Sequence, residues 1–286
     1  MYHVTSRRAG NAGTSDSTAP ICPTLTHPSS PMHAKSLLLL LASAAFTAPV
    51  VAQDVGSLVA RGDSAYAVFN AEDALAHYES ALAIDSSHAD ALAKASRTAV
   101  DVGESLTDAA RQKELFRKGE RYARMAVRAD SASAENWFHL ARALGRTALS
   151  VGVRDRVKYA VEIRRCAQNS LAIDPDHAGA LHVLGMWNAE VKRLSGFELF
   201  FARRFLGGNV LGQANWKDAV SYMERAVSVD PERIAHKLDL AGVYADTGEK
   251  DKARAAYEAV IASTKRVDFN DLLYKKQAEE RLKKLR

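Results

Sequence analysis

Four segments of this chain repeat one short pattern, in which small residues at fixed spacing precede an acidic residue and then a proline or serine. The closing residues of these segments are Ser86, Ser131, Pro175 and Pro231. Self-similarity on this scale is typical of a solenoid, because one pair of short helices cannot bury its own apolar face and stacks on its neighbours. We therefore expect a stack of helix pairs, whose extended surface favours binding over catalysis.

Small residues occupy equivalent positions on both helices of each predicted pair. On the second helix, five positions before the closing serine or proline, they are Ala81, Ala126, Ser170 and Ala226. On the first helix, four positions after a large apolar anchor, they are Ser96, Ala141 and Gly185. Small side chains recur where two helices cross closely, because a larger residue does not fit there. An alanine-rich bundle, the alternative, gives no reason for an acidic helix stop after each second helix.

This arrangement of small, aromatic and proline positions resembles the tetratricopeptide repeat. Successive closing residues lie 45, 44 and 56 residues apart, whereas a tetratricopeptide unit has about 34 residues. The additional residues fall between the first and second helices of three consecutive repeats, at 102–116, 145–160 and 194–215. The sequence thus predicts an all-α, tetratricopeptide-like helical-repeat solenoid of about five helix pairs with lengthened hairpins.

A more specific resemblance is found in the second half of the chain. The run HVLGMWNAEV at 182–191, with its Leu-Gly-x-Trp core, is followed by WKDAV at 216–220 and AVSVDP at 226–231. These motifs look like the regulator of microtubule dynamics family, and the resemblance spans about residues 58–284. It implies a helical-repeat module with no enzymatic chemistry and no cofactor. Members of that family are linked to microtubules, to organelle contacts and, in a mitochondrial protein, to phospholipid binding.

The N-terminal part of the chain has a different composition. Residues 1–31 are rich in Ser, Thr, Pro and Gly, which predicts a disordered or untranslated leader. Residues 32–52 combine a charged start, a short apolar run and a small-residue cleavage site, the order found in secretory signal peptides. We expect export to the periplasm or cell envelope of a bacterium and a mature repeat domain at 53–286, beginning at Gln53. The alternative is an uncleaved segment that anchors the chain in the membrane.

Few residues point to catalysis or to a metal. The formal net charge is +5, but charges of both signs alternate along the helices, so we expect no nucleic acid partner. Cys166 remains alone in the predicted mature chain and is interpreted as a structural thiol. His177 and His182 lie near Asp174 and Asp176, yet a helix stop and a helix cap account for these acids. We therefore expect a protein that is not an enzyme and holds no metal.

Residues on the predicted first helices give the first candidate binding surface. Stacked first helices line an extended groove in repeat proteins, so polar and aromatic residues there can contact a ligand. The register set by the apolar anchors directs five residues towards this groove, and Glu190, one residue beyond the regular register, is the sixth candidate: Arg97, Phe138, Arg142, His182, Met186 and Glu190. The alternative is that the two arginines only pair with acids such as Asp101 on a solvated face.

The segment 196–211 gives the second candidate, because it is the most hydrophobic part of the predicted mature chain. Its candidate lipid-facing residues are Phe197, Phe200, Phe201, Arg203 and Arg204. This pattern favours a helix that packs over the solenoid, and it also fits a helix at a membrane surface. The expected function is a non-enzymatic, exported scaffold or adaptor that binds a protein or peptide. The alternative is a lipid-binding or apolar-ligand-binding protein, and the oligomeric state stays open.

Overall fold

A computed structural model describes residues 47–205 and 208–285, which form twelve α-helices and one short 3₁₀ helix at Asn209–Gln213. The helices are α1 (Thr47–Ala67), α2 (Ala71–Ile84), α3 (Ala89–Ser105), α4 (Ala109–Ala129), α5 (Ala134–Ala148), α6 (Val153–Ile173), α7 (Ala178–Arg193), α8 (Gly196–Phe205), α9 (Trp216–Val229), α10 (Ile234–Asp246), α11 (Lys250–Ala262) and α12 (Asp271–Lys284). The predicted leader and residues 32–46 of the predicted signal segment lie outside the described residues, so export stays a prediction.

The helices stack as five antiparallel pairs: α1 with α2, α3 with α4, α5 with α6, α7 with α9, and α10 with α11. This confirms the predicted solenoid. The additional residues of the second and third repeats extend the helices themselves, since α4 and α6 each have 21 residues. In the fourth repeat the additional residues form α8 and the 3₁₀ helix, which are inserted between the members of the pair.

The predicted small residues lie where the helices cross. Ala81, Ala126, Ser170 and Ala226 are fully buried, as are Ser96 and Ala141. At the fourth pair, a Cβ atom placed on Gly185 would lie 2.5 Å from Cγ of Met223 and 3.2 Å from the carbonyl oxygen of Ala219. Glycine is required here because α7 and α9 approach too closely for any side chain.

The repeated aspartates end the second helices. Asp85, Asp130, Asp174 and Asp230 are the C-cap residues of α2, α4, α6 and α9. Their carboxylates accept hydrogen bonds from backbone N–H groups two or three residues further on, which closes the turn into the next pair. The prediction that Asp176 caps α7 is wrong, because Nδ1 of His177 accepts the hydrogen bond from the backbone N–H of Ala180.

The insert packs over the solenoid. Ala202 of α8 and Leu211 of the 3₁₀ helix are buried against Val157, Trp187 and Val191. The indole Nε1 of Trp187 donates a hydrogen bond of 2.7 Å to the carbonyl oxygen of Ala160. This hydrogen bond satisfies the indole N–H of a buried aromatic residue and connects α7 to α6 beneath the insert.

The chain reverses after α11 and returns across the first helices. Residues 263–270 form an irregular segment that leads to α12, and α12 packs against α10 and α11. Asn270 reaches the second repeat, where its Nδ2 donates a hydrogen bond of 3.0 Å to the carbonyl oxygen of Asp101. The first helices α3, α5, α7 and α10 form a surface here named the inner face, and the segment meets it at α3 and at the start of α10. No helix among the described residues has the length and apolar character needed to cross a membrane.

Candidate functional site on the inner face

The inner face carries charged side chains at helical spacing. Arg97, Asp101 and Glu104 follow one another on α3, and Arg142 and Arg146 lie one turn apart on α5. Residues three or four positions apart share one side of a helix, so each helix presents its charges to the same surface. The fifth pair contributes Arg233, His236 and Asp239, which follow the same spacing at the start of α10.

Arg142 lies at the centre of a buried ion cluster. It donates hydrogen bonds of 2.6 Å to Oδ1 of Asp101 and 2.9 Å to Oε1 of Glu104. Nε of Arg146 donates a further bond of 2.8 Å to the same oxygen of Glu104. Burial by itself acts to raise the pKa of Glu104, but Arg146 and Arg142 outweigh it and hold this pKa below its ordinary value. Glu104 is therefore buried as an ion whose charge the arginines compensate.

Arg97 takes part in a separate arrangement on the first two pairs. Its guanidinium lies over the ring of Tyr66, 3.8 Å from the ring centre, and the Tyr66 hydroxyl donates a 2.7 Å hydrogen bond to Oδ2 of Asp101. Burial, together with the charge of Asp101, raises the pKa of Tyr66, so its hydroxyl stays a donor. Within residues 47–205 and 208–285, the buried Nε atom of Arg97 finds no hydrogen-bond partner.

The C-terminal segment is held on the inner face by side chains from different repeats. Arg233 donates a 2.7 Å hydrogen bond to Asp268, and the hydroxyl of Tyr274 donates one of 2.8 Å to Oε2 of Glu104. Asp268, Asn270 and Asp271 are all buried, although they follow an exposed stretch. Burial and the neighbouring Asp101 raise the pKa of Asp268. Residues of the C-terminal segment thus occupy the surface that the sequence predicts to bind a ligand.

Histidines line the part of the inner face beside the last two pairs. The Nδ1 atoms of His182 and His236 lie 2.6 Å apart, and Nε2 of His182 lies 3.3 Å from Oδ2 of Asp239. Burial, followed by the charge of His182, lowers the pKa of His236 to about 2, which keeps its ring neutral. Among the residues that the structure describes, no group of three or more His, Cys, Asp or Glu side chains is arranged to hold a metal ion.

The six predicted groove residues lie in different surroundings. Arg142 pairs with Asp101 as the alternative interpretation describes, but on a buried face and not on a solvated one. Phe138 is half-buried, with its ring centre 5.0 Å from that of His177. Met186 is half-buried against the apolar cluster of the last two pairs. Glu190 is exposed and pairs with Arg193 at the far end of α7.

Residues of the insert are placed on its outer side where they are described. The ring of Phe200 is 61% exposed, and Arg203 and Arg204 are exposed on the last turn of α8. The side chains of Phe197 and Phe201 lie outside the described part of the chain, so their predicted lipid contacts stay predictions. The exposed ring of Phe200 is the feature of the insert that a membrane or an apolar ligand would meet.

Sequence reasoning did not find the residues that fill the inner face. Asp268, Asn270 and Tyr274 are not among the predicted site residues, and neither is Glu104, the partner of Tyr274. The segment Val-Asp-Phe-Asn-Asp at 267–271 is too short to show a period, and its contacts join residues that lie as much as 169 positions apart. The local signal was turn chemistry, since Asp268 and Asn270 precede a helix.

Comparisons with known proteins agree with this architecture. A crystal structure of TTC0263, a thermophilic TPR protein of Thermus thermophilus, is 17% identical over 79% of this chain and 99% of its own, with a TM-score of 0.57. The structure of pilF of Pseudomonas aeruginosa is 16% identical over 82% of this chain and 93% of its own, with a TM-score of 0.49. No curated protein sequence matches the chain.

The similarity to TTC0263 shows the tetratricopeptide-like fold alone, because the identity is low. The family model for regulator of microtubule dynamics proteins 1–3 matches residues 58–286, which include all five helix pairs from within α1 onwards and the C-terminal segment on the inner face. The chain therefore belongs to the regulator of microtubule dynamics protein family.

Proposed function

We propose that this protein is a non-enzymatic, exported scaffold of the bacterial cell envelope that binds a protein partner through its inner face. The observation that carries the proposal is the C-terminal segment, which this face binds as an irregular stretch that ends in a turn before α12. The backbone carbonyl oxygen of Asp101 in the second pair and the side chain of Arg233 at the start of the fifth pair hold this segment. A surface that binds one peptide segment through side chains from distant repeats has the chemistry to bind another.

Arguments against catalysis come from the chemistry of the reactive groups. The thiol of Cys166 is fully buried, and burial raises its pKa to about 11, whereas a nucleophilic cysteine needs an accessible thiolate. The carboxylates of Asp101 and Glu104 are neutralised by arginines and covered by the C-terminal segment. These groups hold the structure together and are not free to act on a substrate.

A photo-crosslinking experiment in the native host tests the proposal. A photoreactive phenylalanine analogue replaces Phe138, which is half-buried on the inner face, or Val161, which is 37% exposed on the second helix α6. We expect a discrete crosslinked product from position 138 and none from position 161. A product from position 161 alone would assign the partner to the outer surface, and no discrete product from either would refute the scaffold function.

Lipid binding is the second candidate, and the exposed ring of Phe200 beside Arg203 and Arg204 favours it. Aromatic rings enter the membrane interface while arginines meet anionic headgroups. In a flotation assay with vesicles containing phosphatidylglycerol, Phe200→Ser should reduce binding. Leu272→Ser is the matched control, because Leu272 is 64% exposed on α12 and lies far from the insert in the chain. Equal binding by both variants and the unchanged protein would exclude the insert as a lipid contact.

A further inference from the structure

Residues 266–271 lie on the inner face as a peptide ligand would. The guanidinium of Arg266 lies over the ring of Phe69, 4.0 Å from its centre, and Phe269 packs against the apolar cluster of the first two pairs. The carboxylate of Asp268 accepts a hydrogen bond from Arg233 at the other end of the solenoid. A stretch of six residues thus contacts both the first and the last helix pairs.

The contacts define the chemistry that the inner face recognises. A carboxylate is bound between Arg233, which donates a hydrogen bond of 2.7 Å, and the charge of Arg142. An aromatic ring follows, and then a side-chain amide that donates to the carbonyl oxygen of Asp101. The inner face contacts the side chains of Asp268, Phe269 and Asn270. The preferred ligand is therefore a peptide with an acidic, an aromatic and an amide residue in this order.

The resident segment leaves polar groups unsatisfied. Within the described parts of the chain, Oδ1 of Asp271 and Nε of Arg97 are buried and have no hydrogen-bond partner. A buried polar atom without a partner costs about 1–3 kcal/mol. Asp268 is also buried close to Asp101, a carboxylate of the same charge. The fit of this segment is therefore incomplete, because Asp271 keeps an unpartnered carboxylate oxygen and Asp268 lies close to a like charge.

The attachment of the segment allows it to leave without the rest of the C-terminus. Thr264, Lys265 and Arg266 are exposed, and Lys265 pairs with Glu232 in a solvated position. Helix α12 has its own anchor, since Ala278 and Leu282 pack into the cluster of the last pairs. A tethered segment competes at an effective concentration on the order of millimolar, so it weakens an external ligand but does not exclude it.

We infer that the partner of the inner face presents a peptide turn with an acidic–aromatic–amide sequence, and that this peptide displaces residues 266–271. The inference rests on the proposed function, because it names the partner class of the same surface. The chain's own segment is the resident competitor, and release of this segment exposes Arg233 and the carbonyl oxygen of Asp101 to the partner.

The probe for this inference is a labelled peptide with the sequence of residues 266–273, RVDFNDLL, and the readout is fluorescence anisotropy with the full chain. Asn270→Ala weakens the resident segment while the probe keeps its own asparagine. We expect this variant to bind the probe at least 10-fold more tightly than the unchanged chain does. A control peptide, RVKFNDLL, places lysine against Arg233 and should bind to neither. Equal affinity of the two chains for the probe, or equal binding of both peptides, would overturn the inference.

Hydrogen exchange on the unchanged chain gives a test that does not depend on a variant's folding. The backbone N–H groups of Val267 and Asp268 donate to Oδ2 of Asp271 at 2.7 and 2.9 Å within the segment, and packing on the inner face buries Asp268 and Asp271, so both amides are protected while the segment is bound. Excess probe should accelerate exchange at these two amides and leave α10 unchanged. Unaltered exchange would refute displacement. If crosslinking from position 138 nevertheless captures a partner, the scaffold function stands and the displacement alone is wrong.

Discussion

Replacing Arg142 with leucine is the sharpest test of the ion cluster on the inner face. The side chain of Asp101 is 0% exposed and that of Glu104 is 6% exposed, and Arg142 binds both. Leucine removes these donors while keeping an apolar stem. Glu104 retains Arg146, and Asp101 retains the hydroxyl of Tyr66, which is a neutral donor. The substitution therefore destabilises the fold mainly through Asp101, whose buried carboxylate loses its cationic partner.

Breaking a buried ion pair on one side costs about 3–5 kcal/mol. For a domain of this size about 1 kcal/mol shifts the Tm by roughly 2–4 °C, so Arg142→Leu should lower the Tm by about 6–20 °C. The matched control is Arg165→Leu, because Arg165 is 67% exposed and pairs with Glu162 at 3.3 Å. Such an exposed pair contributes about 0–1 kcal/mol, which corresponds to a shift of at most about 4 °C.

The effect of Arg142→Leu should also depend on pH. The pKa of Glu104 is lowered in the folded state, so its charge stabilises the fold above the ordinary value of 4.5. That stabilisation is lost as the pH falls through the lowered pKa. Without Arg142 the pKa of Glu104 is less depressed. The difference in free energy of unfolding between the unchanged chain and Arg142→Leu should therefore be largest at pH 7 and should become smaller below about pH 4.5.

Urea unfolding followed by far-UV circular dichroism and by tryptophan fluorescence measures these differences, provided the two transitions coincide. Equal losses for Arg142→Leu and Arg165→Leu would refute the buried cluster. A gap that does not narrow as the pH falls from 7 through the lowered pKa of Glu104 would show that the loss comes from packing and not from charge.

Three further predictions concern packing, thiol chemistry and processing. Gly185→Leu should lower the free energy of unfolding by about 1–3 kcal/mol or more, because a Cβ at this position meets Met223 at 2.5 Å. The control Gly145→Leu in helix α5 should leave it unchanged, since a Cβ there meets no atom within 4 Å. Equal melting shifts for the two variants would contradict the helix crossing. In a Cys22→Ser variant, Ellman's reagent at pH 8 should label Cys166 only after unfolding, because the thiol is fully buried with a pKa of about 11. Rapid labelling of the folded chain would contradict this burial. N-terminal sequencing from the native host should find a chain that begins close to Gln53, whereas an intact start upstream of Met32 in the cytosol would refute export.

The sequence by itself determined the repeat architecture of this protein. Small residues at Ala81, Ala126 and Ser170, and the Asp stops that follow them, encode the crossing and the end of each second helix. These signals are local, because a helix crossing needs a small residue at one position and a helix end needs a cap within a few residues. The number of helix pairs and the packing of the insert followed from such local signals.

Only the tertiary structure decided what the inner face contains. Helical register was sufficient to assign Arg97 and Arg142 to the first-helix surface, but it gave no account of their surroundings. Asn270 binds the backbone of Asp101 across 169 positions of sequence, and no local pattern encodes that contact. Burial under the C-terminal segment turns Arg142 from a solvated side chain into the centre of an ion cluster. Register depends on neighbours along the chain, whereas dielectric environment and pairing depend on which distant segment covers the site.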